Sequence, residues 1–108
     1  MQLTTMLLLV WMHFVADFVF QTDEVALGKS KSNRLLLKHV LIYGIPFLLV
    51  GFAYAGVNSA AHFAVDYVTS RVTAELFKQG QRHWFFVVIG FDQAIHMTTL
   101  FITYQWMT

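Results

Sequence analysis

The chain has 108 residues, 57% apolar and only 12% charged, with a net charge of +1 and no cysteine. Soluble domains carry about 25% charged residues, so the composition points to one integral membrane domain, residues 1–108. It excludes disulfides, thiolate zinc sites, Fe–S clusters and covalent haem, and gives no reason to expect nucleic acid as a partner.

The elements follow from runs of apolar residues. A first span covers residues 3–20, close to the ~20 needed to cross a bilayer. It has no basic leader or small-residue cleavage site, so it is expected to stay as a membrane helix. Gln21-Thr-Asp-Glu24 closes it, and Thr22 is placed to cap a short interfacial turn. Gly28 to Arg34 is a basic, small-residue loop. A second span covers 35–54, with a kink expected at Gly44 and Pro46. Ala55 to Ser59 reads as an uncharged turn. A third span covers 60–76, Phe77 to His83 is a second basic loop, and a fourth span covers 84–106. The fold expected is all-α: a four-transmembrane-helix bundle running up, down, up and down, with the lipid bilayer as its main partner.

All seven basic residues lie around the two loops: Lys29, Lys31, Arg34 and Lys38 at the first, Arg71, Lys78 and Arg82 at the second. In a four-span chain both loops share one face. That face is then cytoplasmic, in a bacterial inner membrane, with both termini outside. Trp84 suits the inner interface and Trp106 the outer one, whereas Trp11 falls mid-span and reads as core. Gly51 and Gly56, with Ala53 and Ala55, are expected to permit close helix contact. Lys38-His39 with Gly44, and Arg82-His83 with Gly90, open the second helix of each half. The chain thus reads as a repeated helix hairpin.

Within this frame one motif recurs. His13-Phe-Val-Ala-Asp17 is repeated as His62-Phe-Ala-Val-Asp66 and appears reversed as Asp92-Gln-Ala-Ile-His96. A spacing of i, i+4 puts both side chains on one helix face. The first and third helices run one way and the fourth runs the other, so only a reversed motif matches them in space. All three then point a carboxylate toward the cytoplasm, with an imidazole about 6 Å deeper. His39 falls near the level of Asp17 and Asp66. Each ionisable group in such a segment costs roughly 2.5–3.5 kcal/mol on insertion scales, so it normally has a partner and a purpose.

The expected centre is a divalent metal, Zn, Mn or Fe, held by His13, Asp17, His62, Asp66, Asp92 and His96. His39, His83, Gln21 and Gln93 stand as auxiliary groups. Arg71, Lys78 and Arg82 are candidates to hold an anionic lipid or phosphate at the cytoplasmic mouth. The same residues also suit a proton or metal-ion relay, bis-histidine haem, or structural polar pairs between helices. Tyr43 and Tyr67 lie close enough to donate hydrogen bonds. The small size of the bundle favours self-association into a homo-oligomer.

The strings His13 to Asp23, Lys29-Ser-Lys-Ser, Lys38-His39-Val, His62 to Tyr67 and Lys78 to Gln93 resemble a family of small polytopic membrane proteins of bacteria and their phages, one of unknown function. The stretch from Trp84 to Asp92-Gln93 carries most of that likeness. The His-x-x-x-Asp spacing is also similar to that of bacterial membrane-bound proteins regarded as metal-dependent hydrolases. That second likeness implies a metal and hydrolysis; the reading of the residues adds a lipid-linked or phosphorylated substrate, with Asp17, Asp66 and Asp92 as the catalytic candidates.

Overall fold

The computed structural model describes all of Met1–Thr108, and every regular element is helical. Helix α1 (Leu3–Phe14) continues into a single π turn, Val15–Val19. The turn closes with the Phe20 N–H on the Val15 carbonyl at 2.9 Å. Helix α2 (Asp23–Gly28) starts at the expected cap. Thr22 Oγ1 accepts the Val25 N–H at 3.3 Å, and Asp23 and Glu24 fill the first turn, where the helix dipole favours negative charge. Ser32 caps α3 (Asn33–Gly44) in the same way, accepting the Leu35 N–H at 3.3 Å.

The expected kink is instead a helix end. Pro46 opens a 3₁₀ turn, Pro46–Leu49. Proline has no N–H to extend the α-helical ladder, and its ring crowds the preceding turn. Helix α4 (Phe52–Lys78) then starts after Gly51, so the turn expected at Ala55–Ser59 lies inside it. Asn58, which reads as a turn residue, finds its partners within the bundle. Its amide donates to the Tyr54 carbonyl at 3.0 Å and to Thr103 Oγ1 at 2.9 Å. Helix α4 ends where Gly80 takes a left-handed φ of 74° and the Gln81 N–H reaches back to the Leu76 carbonyl at 2.9 Å. Helix α5 (Arg82–Met107) returns antiparallel along α4.

Helix α5 is the one helix long and apolar enough by itself to cross a bilayer; Leu3–Val19 is apolar but shorter. Helix α4 has the length but gives up apolarity to Asn58, His62, Asp66, Thr69 and Ser70, all buried.

The interior has two layers. An apolar cluster joins Leu9, Ala16, Tyr43, Phe47, Tyr54, Ala55 and Leu100, with the Tyr54 hydroxyl donating to the Leu100 carbonyl at 2.8 Å. Next to it lies a polar layer: ten of the 21 buried residues are polar or charged. Large apolar side chains such as Leu49, Phe52, Phe86 and Trp106 face outward. Trp11, expected in the core, is 63% exposed. The close helix contact is at Gly44, where an added Cβ meets Ser59 Oγ, whereas Gly51 and Gly56 open on free space.

Candidate metal centre

The three motifs meet in the polar layer. Asp17 comes from the π turn of α1, His62 and Asp66 from α4, and Asp92 and His96 from α5, and all five are buried. Helix α3 adds His39, also buried. A π turn carries one extra residue per hydrogen-bonded loop and is common at functional sites. Here it turns Asp17 away from its own motif partner. Asp17 Oδ2 lies 3.6 Å from His13 Nε2, while Asp17 Oδ1 lies 2.9 Å from His39 Nε2.

Four ligand atoms converge on one point. His39 Nε2 is 2.9 Å from Asp17 Oδ1, 3.1 Å from His62 Nε2 and 3.6 Å from Asp66 Oδ2. His62 Nε2 is 3.4 Å from Asp17 Oδ1 and 3.2 Å from Asp66 Oδ2. A tetrahedral ion with bonds of ~2.0–2.1 Å separates its ligands by about 3.3–3.4 Å, and the five distances scatter around that value. A second group, Asp17, Asp92 and His96, likewise has its ligand atoms within 4.8 Å of one another. Asp17 belongs to both. The buried cluster therefore has the composition and spacing to hold a metal ion.

Surrounding contacts orient these groups. His96 Nε2 lies between Asp66 Oδ1 at 3.1 Å and Asp92 Oδ2 at 3.2 Å. The Thr69 hydroxyl donates to Asp92 Oδ1 at 2.5 Å. The Gln93 amide donates to Asp17 Oδ2 at 3.2 Å and Asp92 Oδ2 at 3.1 Å, and its Oε1 lies 2.7 Å from His13 Nε2. His13 Nδ1 lies 2.9 Å from the Tyr43 hydroxyl. The two shortest contacts of His13 are to neutral partners, with Asp17 Oδ2 farther from its Nε2 at 3.6 Å, and His13 is in neither group of convergent atoms. The Tyr43 ring stacks on His62 at 4.0 Å and His62 on His96 at 3.9 Å, which fixes the imidazole planes.

Other sequence-predicted residues are distributed unevenly. His39, expected as auxiliary, is one of the four convergent groups that could hold a metal. Gln93, also expected as auxiliary, bonds Asp17, Asp92 and His13. Gln21 lines the adjacent cavity with its Oε1 unpartnered. His83 is exposed at the start of α5, edge-on to Trp84 at 5.2 Å, and takes no part. Arg71 is held by Asn33 Oδ1 at 2.6 Å and the Tyr67 carbonyl at 2.9 Å. Arg82 lies over the Phe77 ring at 4.1 Å and does not line the cavity. The residue that sequence reasoning passed over is Lys29, whose Nζ reaches Asp66 Oδ2 at 3.1 Å. It counted only as one more basic loop residue, and no local pattern marks it.

The cluster opens on one side to a cavity of about 890 Å³ with Asp17, Asp66, Asp92 and Gln93 in its wall. Fold and site together define a small all-α protein built around a buried His/Asp cluster beneath an open cavity. The chain belongs to the family described as "Protein of unknown function (DUF3307)", whose model matches residues 3–108. No curated protein and no solved structure matches it.

Proposed function

We propose that this chain is a multi-pass protein of the bacterial inner membrane and a metal-dependent hydrolase. Its metal is held by Asp17, His39, His62 and Asp66, and its substrate enters from the cytoplasmic cavity. The observation that carries the metal reading is the near-tetrahedral spacing of those four ligand atoms, 2.9–3.6 Å apart over the five contacts. Four ligands of this kind suit Zn²⁺ best; Mn²⁺ and Fe²⁺ accept the same donors.

The membrane reading rests on polarity turned inside out. Asp17, Asp66, Asp92 and the imidazoles of His13, His39, His62 and His96 are buried while many Trp, Phe and Leu side chains cover the outside. Such an arrangement suits lipid, since a soluble monomer rarely exposes a contiguous apolar surface of this kind. The basic residues at the α2–α3 and α4–α5 connections support a cytoplasmic placement of both.

A divalent ion at this site supplies Lewis-acid activation of water and of the scissile bond. Asp92 stands outside the four-ligand set and lines the cavity, its Oδ2 3.2 Å from His96. It is placed to take the proton of the attacking water. Gln93 and Thr69 hold it in that position. A continuous relay across the bundle is the weaker reading. The hydrogen-bonded chain ends at Tyr43, against the apolar layer of Leu9, Phe47 and Leu100.

Metal analysis of protein purified without added metal tests the proposal. It expects at least one equivalent of metal per chain, lost in Asp66→Ala and His62→Ala. Wild-type protein that is folded and free of metal refutes it.

A further inference from the structure

The cavity has two poles. Its floor is acidic, formed by Asp17, Asp66 and Asp92. Its rim carries Lys29, Lys31, Arg71 and Lys78 and one carboxylate, Glu75, whose Oε1 accepts the Gln79 amide at 2.9 Å. Arg71 is already bound to Asn33 and the Tyr67 carbonyl. Lys29 spans the poles, its ammonium on Asp66 Oδ2. Lys31 and Lys78 make no ion pair, so their charge is free for a ligand. Ser70, only 8% exposed, lines the same cavity, and its hydroxyl has no hydrogen-bond partner. A buried hydroxyl left unpaired costs about 1–3 kcal/mol, so such groups normally have a partner when the site is at work.

Free cations and an unpaired donor call for a compact, multiply charged anion with several acceptor oxygens. A carboxylate brings one charge and two oxygens. A phosphate monoester brings nearly two charges and three terminal oxygens near neutral pH, and it can turn its phosphorus toward the acidic floor while the ester oxygen and its organic group point out of the cavity. We propose that the rim is a phosphate subsite, in which Lys29, Lys31 and Lys78 supply charge and Ser70 Oγ a hydrogen bond to the phosphoryl group of a phosphate monoester. This names the substrate class for the hydrolytic reading above and rests on that reading for the chemistry beneath the subsite, but not for the binding itself.

Lys29 gives the proposal an unusual signature. It neutralises Asp66, a metal ligand, and faces the subsite. Lys29→Met therefore strengthens metal binding and weakens phosphate binding, opposite signs that a general loss of structure does not produce.

The test is a phosphorus-31 NMR titration of the purified full chain with inorganic phosphate, in phosphatidylcholine nanodiscs and with a chelator present so that no bound metal captures the anion. Saturable binding is expected, weakened roughly tenfold by Lys29→Met and severalfold by Ser70→Ala and by Lys78→Met. Lys38→Met, an exposed basic residue outside the cavity, leaves it unchanged. Adding phosphatidic acid to the nanodiscs separates the sources: competition with phosphate assigns a lipid head group, and no competition assigns a soluble phosphate ester. Absence of saturable binding overturns the proposal, as does an effect of Lys38→Met equal to those of Lys29→Met and Ser70→Ala. Metal titration of the same proteins in chelator-free buffer keeps the two claims apart. Metal bound without phosphate defeats the subsite alone; phosphate bound without metal supports the subsite and defeats the metal centre alone.

Discussion

His13 and His39 exchange the importance that the sequence assigns them, and a pair of substitutions measures that exchange. His39 Nε2 is one of four convergent ligand atoms. His13 touches only Tyr43 and Gln93 at short range and acts on the centre through the Gln93 amide. A closed four-ligand zinc site is worth about 10–16 kcal/mol, so each ligand accounts for about 2.5–4 kcal/mol. His39→Ala should then weaken metal binding by roughly a hundredfold to a thousandfold. Loss of an orienting partner typically costs roughly 10–100-fold, and His13→Ala should fall at or below that range because Gln93 keeps its bonds to Asp17 and Asp92. His13→Ala also leaves the buried Tyr43 hydroxyl without its partner, at a stability cost of about 1–3 kcal/mol. Competition titration against a chromophoric zinc chelator in detergent measures the affinities, and thermal unfolding of the metal-free proteins measures the stability cost. Equal losses for the two variants, or a larger loss for His13→Ala, refute the assignment of the ligand set.

Lys29→Met should raise metal affinity roughly tenfold or more, since the substitution removes a cation 3.1 Å from a ligand oxygen; the same chelator titration reads it. Gly44→Val should destabilise the bundle by about 1–3 kcal/mol, because its side chain runs into Ser59 and the Ala55 carbonyl across the α3–α4 contact. Gly56→Ala, facing open space within α4, should be neutral or stabilise by up to about 1 kcal/mol. Thermal melts of the two variants check the contrast. Gly80→Ala should cost about 1 kcal/mol, because φ of 74° is unfavourable for a side chain, and the loss should appear in the same melts.

The centre was legible in the sequence because i, i+4 spacing is a property of the helix itself. His62–Asp66 and Asp92–His96 stay on one face wherever their helices pack, and reversal of the second motif compensates for the antiparallel direction of α5. The rest depended on information that one segment does not carry. His39 has no carboxylate four residues away, so its rank among the ligands emerges only when α3 packs against α4. The π turn has no marker in Val15–Val19, yet it decides that Asp17 faces His39 rather than His13. The small and amide residues of Ala55–Ser59 read as a turn, which puts the expected break between α3 and α4 there. Across the bundle Thr103 supplies what Asn58 needs, and Pro46 and Gly51 make the true break. Charge alone groups Arg82 with the anion-binding residues, but its guanidinium lies over the Phe77 ring, outside the cavity lining.

The most direct measurement is X-ray absorption at the metal edge of protein purified without added metal. The reading requires about one metal per chain with a first shell of oxygen and nitrogen at ~2.0–2.1 Å, two imidazoles among its ligands, and the loss of one imidazole signal in His39→Ala. A first shell without imidazole, or a His39→Ala spectrum identical to wild type, contradicts it.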